Sequence, residues 1–345
     1  MRGDQRDTGN DQIGRAPVRR RGLTAPMPNQ SPMSQWSSTV AFTCNICGAF
    51  NQVESFESEP ASCACGSNVR VRALIHLLST ELFGVDIPLF RFPTLPAISG
   101  LGMTDKECYA RLLAEKFSYT NTFYDREPRV DFHQRNATLA STCDFVLSAD
   151  VFEHVAPPGR RAMNEVWNIL KPNGFLVATV PCTPDDRFVE HFPDLFEYRV
   201  VSLGKSAVLV NRRRDGAVEV REDLIFHGGP GATLEMRQFS RTQLVSELLA
   251  AGFSEVEYLS ANRPEIGVLF DPDVSQPLVA RKSRFAMDRA AQIQLVREWL
   301  RSQQAFLDER ARADRMSQQM QMAATSRWLR LGRAFGLGPK FTPRN

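Results

Sequence analysis

Between Cys143 and Pro181 two short apolar runs flank one amphipathic segment, and few folds accept that order. Phe145–Leu147 is apolar, aromatic and β-branched, as a strand buried on both faces requires. It ends in Ser148-Ala149-Asp150, small and polar, where a strand opens onto a ligand crevice. Pro157 and Pro158 stand where a helix can start, because the N–H that proline lacks has no partner there anyway. Met163, Val166, Trp167 and Leu170 then form one apolar helical face. Lys171-Pro172-Asn173-Gly174 stops the helix, and Phe175–Val180 is a second buried strand closed by Pro181. Strand, helix, strand at this spacing is a crossover unit of a parallel sheet.

The same residues carry a resemblance. Phe152-Glu153-His154-Val155, Leu170-Lys171-Pro172-Asn173-Gly174 and Thr179-Val180-Pro181 resemble, in order and spacing, the second half of a class I S-adenosylmethionine-dependent methyltransferase of the bacterial type 11 kind. The resemblance implies an α/β, doubly wound, mostly parallel seven-stranded sheet, Rossmann-like, and S-adenosylmethionine as cofactor. Asp150, at the tip of its strand, would face the reacting methyl group, and His154 would position the acceptor.

Composition narrows the partners. Residues 1–40 carry 6 basic and 3 acidic side chains and no apolar period, which reads as a disordered tail. Residues 281–345 carry 14 basic and 5 acidic, so residues 41–280 hold 22 basic against 31 acidic. An acidic middle disfavours nucleic acid as substrate. No apolar run is long enough to span a membrane and no secretory h-region comes after the N-terminal arginines, so a cytoplasmic location is expected.

Cys44-Asn45-Ile46-Cys47-Gly48 and Ser62-Cys63-Ala64-Cys65-Gly66 look like two knuckles of a structural zinc site ligated by Cys44, Cys47, Cys63 and Cys65. The second pair is one residue tighter than Cys-x-x-Cys, and reduced thiols or a redox pair are the alternatives. Residues 41–69 are thus read as a zinc knuckle, with Cys47→Ser expected to loosen it and leave the later sheet folded. The Cys-Gly-Ser ending, then Arg70-x-Arg72 and a helix, resembles the N-terminal part of certain bacterial methyltransferase-like proteins.

By the same resemblance, residues 70–282 would make the methyltransferase domain. Gly100-x-Gly102 is expected to pass under the methionine end of the cofactor, ahead of a helix over Tyr109–Phe117. The family's acidic residue before the first glycine is missing here. Ser118–Tyr124 reads as a strand, and Asp125 or Glu127 after it would grip ribose. Val130–Phe132 reads as a further strand, with Asp131 accepting from adenine or capping a turn.

Residues 182–238 are an insertion expected to build the acceptor pocket. It holds His191, a hairpin of Ala207–Asn211 and Val218–Arg221, and His227 ahead of Gly228-Gly229-Pro230-Gly231, with either histidine a candidate general base. Ser240-Arg241-Thr242-Gln243 is a capping box, and Ser254–Ser260 and Gly267–Phe270 are the expected last strands. Residues 283–345 form a helical, basic tail, dispensable for the fold, with a coiled coil or a partner protein served by 283–330.

The expectation is methyl transfer from S-adenosylmethionine to a small molecule or glycan. The competing reading is a non-catalytic scaffold of the same fold, acting through its knuckle and tail.

Overall fold

The computed structural model describes residues 39–53, 62–183, 185–204, 206–227, 233–270, 276–327, 331 and 334–335. The N-terminal tail to residue 38, Gly228–Gly231 and most of the basic segment after residue 327 lie outside them.

In chain order the elements are β1 (Val40–Thr43), β2 (Phe50–Val53), α1 (Val69–Phe83), β3 (Ser99–Met103), α2 (Glu107–Lys116), β4 (Ser118–Thr122) and β5 (Cys143–Ala149). Next come α3 (Arg160–Ile169), β6 (Leu170–Thr179), β7 (Val189–Glu190), β8 (Glu197–Leu203), β9 (Ser206–Arg212) and β10 (Val218–Arg221). The chain continues through β11 (Phe226–His227), β12 (Thr233–Leu234), β13 (Arg237–Gln238), α4 (Arg241–Ala250), β14 (Glu255–Tyr258), β15 (Pro277–Arg281) and α5 (Arg289–Thr325).

The central sheet has six strands among the described residues, in the order β14-β15-β6-β5-β3-β4. The pairings from β6 through β5 and β3 to β4 are parallel, and β15 and β14 add an antiparallel edge. This is the expected doubly wound α/β sheet with one strand fewer. Val130–Phe132 forms no strand; the chain there makes only a parallel bridge from Phe123 to Arg129. The last strand lies at Pro277–Arg281, not at Gly267–Phe270. Gly267 is in the left-handed region with φ of 69°, and its carbonyl accepts from Arg72, so that stretch cannot extend into the ladder.

Strand alternation sorts the core into two layers. Phe145, Leu147, Phe175 and Val177 face α1, while Val146, Leu176, Ala178 and Leu278 face α3 and α4. Aromatic rings run through the first layer, from Phe117 to Phe145 (5.7 Å between centroids), Phe175 (6.2 Å) and Phe285 (5.3 Å). The cysteine knuckle joins this layer: Phe42, Cys44, Ile46 and Cys63 pack in one cluster with Leu74 and Leu78 of α1.

At the C-terminal end the structure moves the domain boundary. Phe285 and Leu295 pack against the core, Ala291 is buried in it, and Gln294 accepts from the Ala97 N–H at 2.9 Å. A break after Lys282 therefore cuts through packed residues. Past Glu298, α5 leaves Trp299, Leu300, Phe306 and Leu307 exposed. Among the described residues no helix is long and apolar enough to cross a membrane.

Ending the chain after Arg301 should leave the melting temperature unchanged, because none of the described side chains lost is buried. Ending it after Lys282 should lower it by about 5 °C or more, from the loss of Phe285, Ala291 and Leu295 burial. Equal melting of the two truncated chains by calorimetry would show that this packing contributes nothing.

Candidate active site

The C-terminal tips of the parallel strands gather the polar residues. After β3 the chain turns through Thr104, in the left-handed region with φ of 60°, and α2 begins at Glu107 with no side-chain cap on its first N–H groups. The two glycines of β3 sit one step earlier than expected, inside the strand. A Cβ on Gly100 would overlap the Phe145 ring, and one on Gly102 would overlap Tyr119 and Asp105. Glycine is required at both positions by the protein's own core.

Asp105 is buried under this turn. Its N–H donates to Asn121 Oδ1 at 2.8 Å, and its carboxylate accepts from the Tyr119 hydroxyl. Burial pushes its carboxyl up to about 7, against the hydrogen bonds of Tyr109 and Tyr119.

Asp150 stands at the tip of β5 with φ of 52°, a left-handed conformation costly for a residue with a side chain. Its carboxylate forms an ion pair with Arg70, which enters from the first turn of α1. Apart from Arg70 no hydrogen-bond partner meets the Asp150 oxygens, and the hydroxyls of Ser148 and Thr179 are buried and unpartnered. Sequence reasoning did not place Arg70 in the site; its only local signal was the Arg70-x-Arg72 spacing.

The other residues expected at the cofactor scatter along one edge. Asp125 and Glu127 lie in an exposed turn after β4, where Glu127 accepts from the Arg129 N–H at 2.9 Å. Asp131 is engaged as a turn cap, accepting from the His133 N–H at 2.9 Å and from Gln134 Nε2 at 3.0 Å.

The three candidate histidines come together. The turn Phe152–His154 is held by Arg237, a guanidinium buried on all sides. It donates to the carbonyls of Phe152 (2.9 Å) and Val155 (2.6 Å) and to Glu190 at 3.0 Å. The Met236 N–H adds a bond to the Glu153 carbonyl at 2.8 Å. The insertion thus clamps this turn, and the His154 and His227 rings meet edge to face at 4.8 Å. Glu235 accepts from His191 at 3.0 Å and from His227 at 2.9 Å. Burial pushes the Glu153 carboxyl up to about 8 and holds the His154 imidazole below its usual range.

A second cluster lies in the knuckle. Cys44 and Cys65 sulfurs are 3.8 Å apart, Cys47 and Cys63 sulfurs 3.6 Å, and all four ligand atoms fall within 4.8 Å of one another.

Residues 107–178 match the family model described as "Methyltransferase domain". They run from the start of α2 almost to the end of β6, so the match contains Asp150 and the crossover unit. The match places a methyltransferase domain over this stretch of the chain. No curated protein matches it in sequence. Among solved structures it is similar to 1,6-didemethyltoxoflavin-N1-methyltransferase of Burkholderia thailandensis, at 15% identity over 65% of this chain and 94% of that one, TM-score 0.31. It is also similar to a sugar N-methyltransferase from Streptoalloteichus sp., at 14% identity over 61% and 85%, TM-score 0.34. The citrinin polyketide synthase methyltransferase domain gives 13% identity over 55% of this chain, TM-score 0.32, and this chain spans 47% of that one. TM-scores this low carry no argument about the acceptor.

Asp105 generates a pH dependence. Its folded carboxyl holds a proton to about pH 7, whereas the unfolded one releases it near 4, so the unfolded state binds fewer protons in between. Stability should be greatest below about pH 4 from this group and fall as pH rises to about 7. Asp105→Asn should flatten that decline in the urea midpoint; an unchanged slope would remove Asp105 as its source.

Proposed function

We propose that the chain transfers a methyl group from S-adenosylmethionine to a small molecule or sugar bound between the strand tips and the insertion. One observation carries the reading: a cation and an anion, Arg70 and Asp150, meet at the tip of β5 beside buried hydroxyls with no partner. The methionine end of the cofactor presents a carboxylate and an ammonium on one carbon. Arg70 suits the first and Asp150 the second, each trading its ion pair for a charge-assisted bond. The uncapped N–H groups at the start of α2 offer a further anchor, and Asp125 or Glu127 are the carboxylates available to ribose.

The cofactor supplies a methyl carbon already activated by a positive sulfur, so what remains for the chain is alignment and, for a hydroxyl acceptor, removal of one proton. The insertion offers the acceptor side. His154, His191 and His227 with Glu235 are groups able to orient a hydroxyl and take its proton. The acidic middle of the chain supports a small or neutral acceptor over a polyanion. The exposed apolar side chains of α5 support a role in assembly, with a second copy or a partner.

We also infer that Cys44, Cys47, Cys63 and Cys65 hold one structural zinc. Four sulfurs about 2.3 Å from one ion stand about 3.8 Å apart along each tetrahedral edge, close to the spacings found. Gly48 and Gly66, with φ of 80° and 89°, make the turns that fold each cysteine pair back. The metal would then support Arg70 through α1, which starts two residues after Ser67.

S-adenosylhomocysteine should bind the full chain with micromolar affinity by calorimetry, and Asp150→Ala should weaken it at least about tenfold. No heat and no thermal shift at millimolar ligand would sink the cofactor reading.

Elemental analysis should find about one tightly held zinc per chain. Cys47→Ser should lose it and lower the melting of the whole domain in one transition, because the knuckle shares its core with α1. Metal-free protein purified without chelator would refute the zinc site, and a separate early transition would refute the shared core.

A further inference from the structure

We propose that Glu153, His154 and His227 form a second metal site, for a divalent first-row transition ion, whose open positions take the acceptor's oxygen. The donor set is two imidazoles and one carboxylate, each offering one ligand atom, all within 4.8 Å of one another. Two nitrogens and one oxygen suit ions such as manganese, iron, cobalt or zinc, and three protein ligands leave room for a substrate.

The hydrogen bonds behind the two imidazoles fix their tautomers. His154 Nδ1 lies 2.9 Å from the Leu234 carbonyl. A carbonyl only accepts, so Nδ1 carries the proton and Nε2 keeps its lone pair. That lone pair is 3.5 Å from Glu153 Oε1. His227 Nε2 lies 2.9 Å from Glu235 Oε2, so Nε2 donates there and Nδ1 keeps its lone pair. A carbonyl or carboxylate behind each imidazole is the usual outer shell of a metal-bound histidine.

The second, independent observation is Glu153 itself. Its side chain is 1% exposed, both its oxygens lack a hydrogen-bond partner, and one of them faces His154. Arg70 pairs with Asp150 and Arg237 with Glu190, and neither makes a hydrogen bond to Glu153. Two buried carboxylates, Glu153 and Glu235, therefore stand about the imidazoles, an arrangement a divalent cation neutralises. His227 is 41% exposed, which leaves the cluster a path to solvent.

The role at the acceptor rests on the methyl-transfer reading. An alcohol bound to the ion loses its proton more readily. The proton passes to His191, which is hydrogen-bonded to Glu235, and on to water. The alkoxide oxygen forms its bond to the methyl carbon as the carbon–sulfur bond breaks, with the electron pair going to sulfur. The products are the methyl ether, S-adenosylhomocysteine and one proton. The acceptor class is thus a hydroxyl compound able to coordinate an ion, such as a sugar with neighbouring hydroxyls.

The test uses the full chain with its knuckle zinc in place, titrated with cobalt(II) alone and followed by calorimetry and visible absorption. One saturable equivalent with the spectrum of nitrogen and oxygen ligands, without the intense thiolate bands, is expected. Glu153→Gln and His227→Ala should each weaken binding about tenfold or more. His227 is on the surface, so its variant folds even if the buried one does not. No saturable binding at millimolar cobalt, or binding that both variants leave intact, would overturn the site. Binding of S-adenosylhomocysteine is measured in parallel and should be unchanged in His227→Ala. If cobalt binds but S-adenosylhomocysteine does not bind the parent chain, the metal site stands and the methyl-transfer reading falls.

Discussion

The Arg237 guanidinium is the constraint from which the candidate site is built. A buried cation needs partners, and Arg237 directs Nε at Glu190 and Nη1 at two carbonyls of the Phe152–Val155 turn. Each partner belongs to a short segment. The turn after Asp150 is one short 3-10 stretch, and β7 and β13 are two-residue strands. Arg237 acts with the Met236 N–H on the Glu153 carbonyl and His154 Nδ1 on the Leu234 carbonyl to fix the insertion against this turn. Gly159 is part of the same arrangement, since a Cβ there would strike the guanidinium.

A second buried arginine does the corresponding work at the N-terminal side. Arg72 lies over the Phe42 ring and donates to Ser67, Ser62 and the Gly267 carbonyl, so one side chain joins the hairpin, the cysteine turns, α1 and the loop before β15. Two residues earlier on the same helix, Arg70 reaches Asp150. One helix thus carries both the arginine that holds the cysteine turns and the one that reaches the tip of β5.

Between the two arginines the sheet is held by ordinary packing, tight enough to decide sequence. Gly100 and Gly102 have no side chain because Phe145, Tyr119 and Asp105 fill the space. Reading glycine as room left for a ligand was reasonable from a Gly-x-Gly ahead of a helix. The structure assigns that room to the core, and the next turn carries Thr104 and Asp105 instead.

The sequence by itself determined the crossover unit and the class of fold, because periodicity, stop signals and spacing are local properties. It also determined the Ser240 cap: the Gln243 N–H donates to Ser240 Oγ at 2.9 Å, although the Gln243 side chain turns to Glu247 rather than back. Only the tertiary structure decided that Asp131 caps a turn, that α5 begins inside the core, and that His154, His191 and His227 share one site. Those histidines come from a turn and an insertion separated by up to 73 residues, brought together by a buried arginine whose partners are mostly backbone carbonyls. Carbonyls leave no mark in a sequence, so no pattern of residues could have announced the contact.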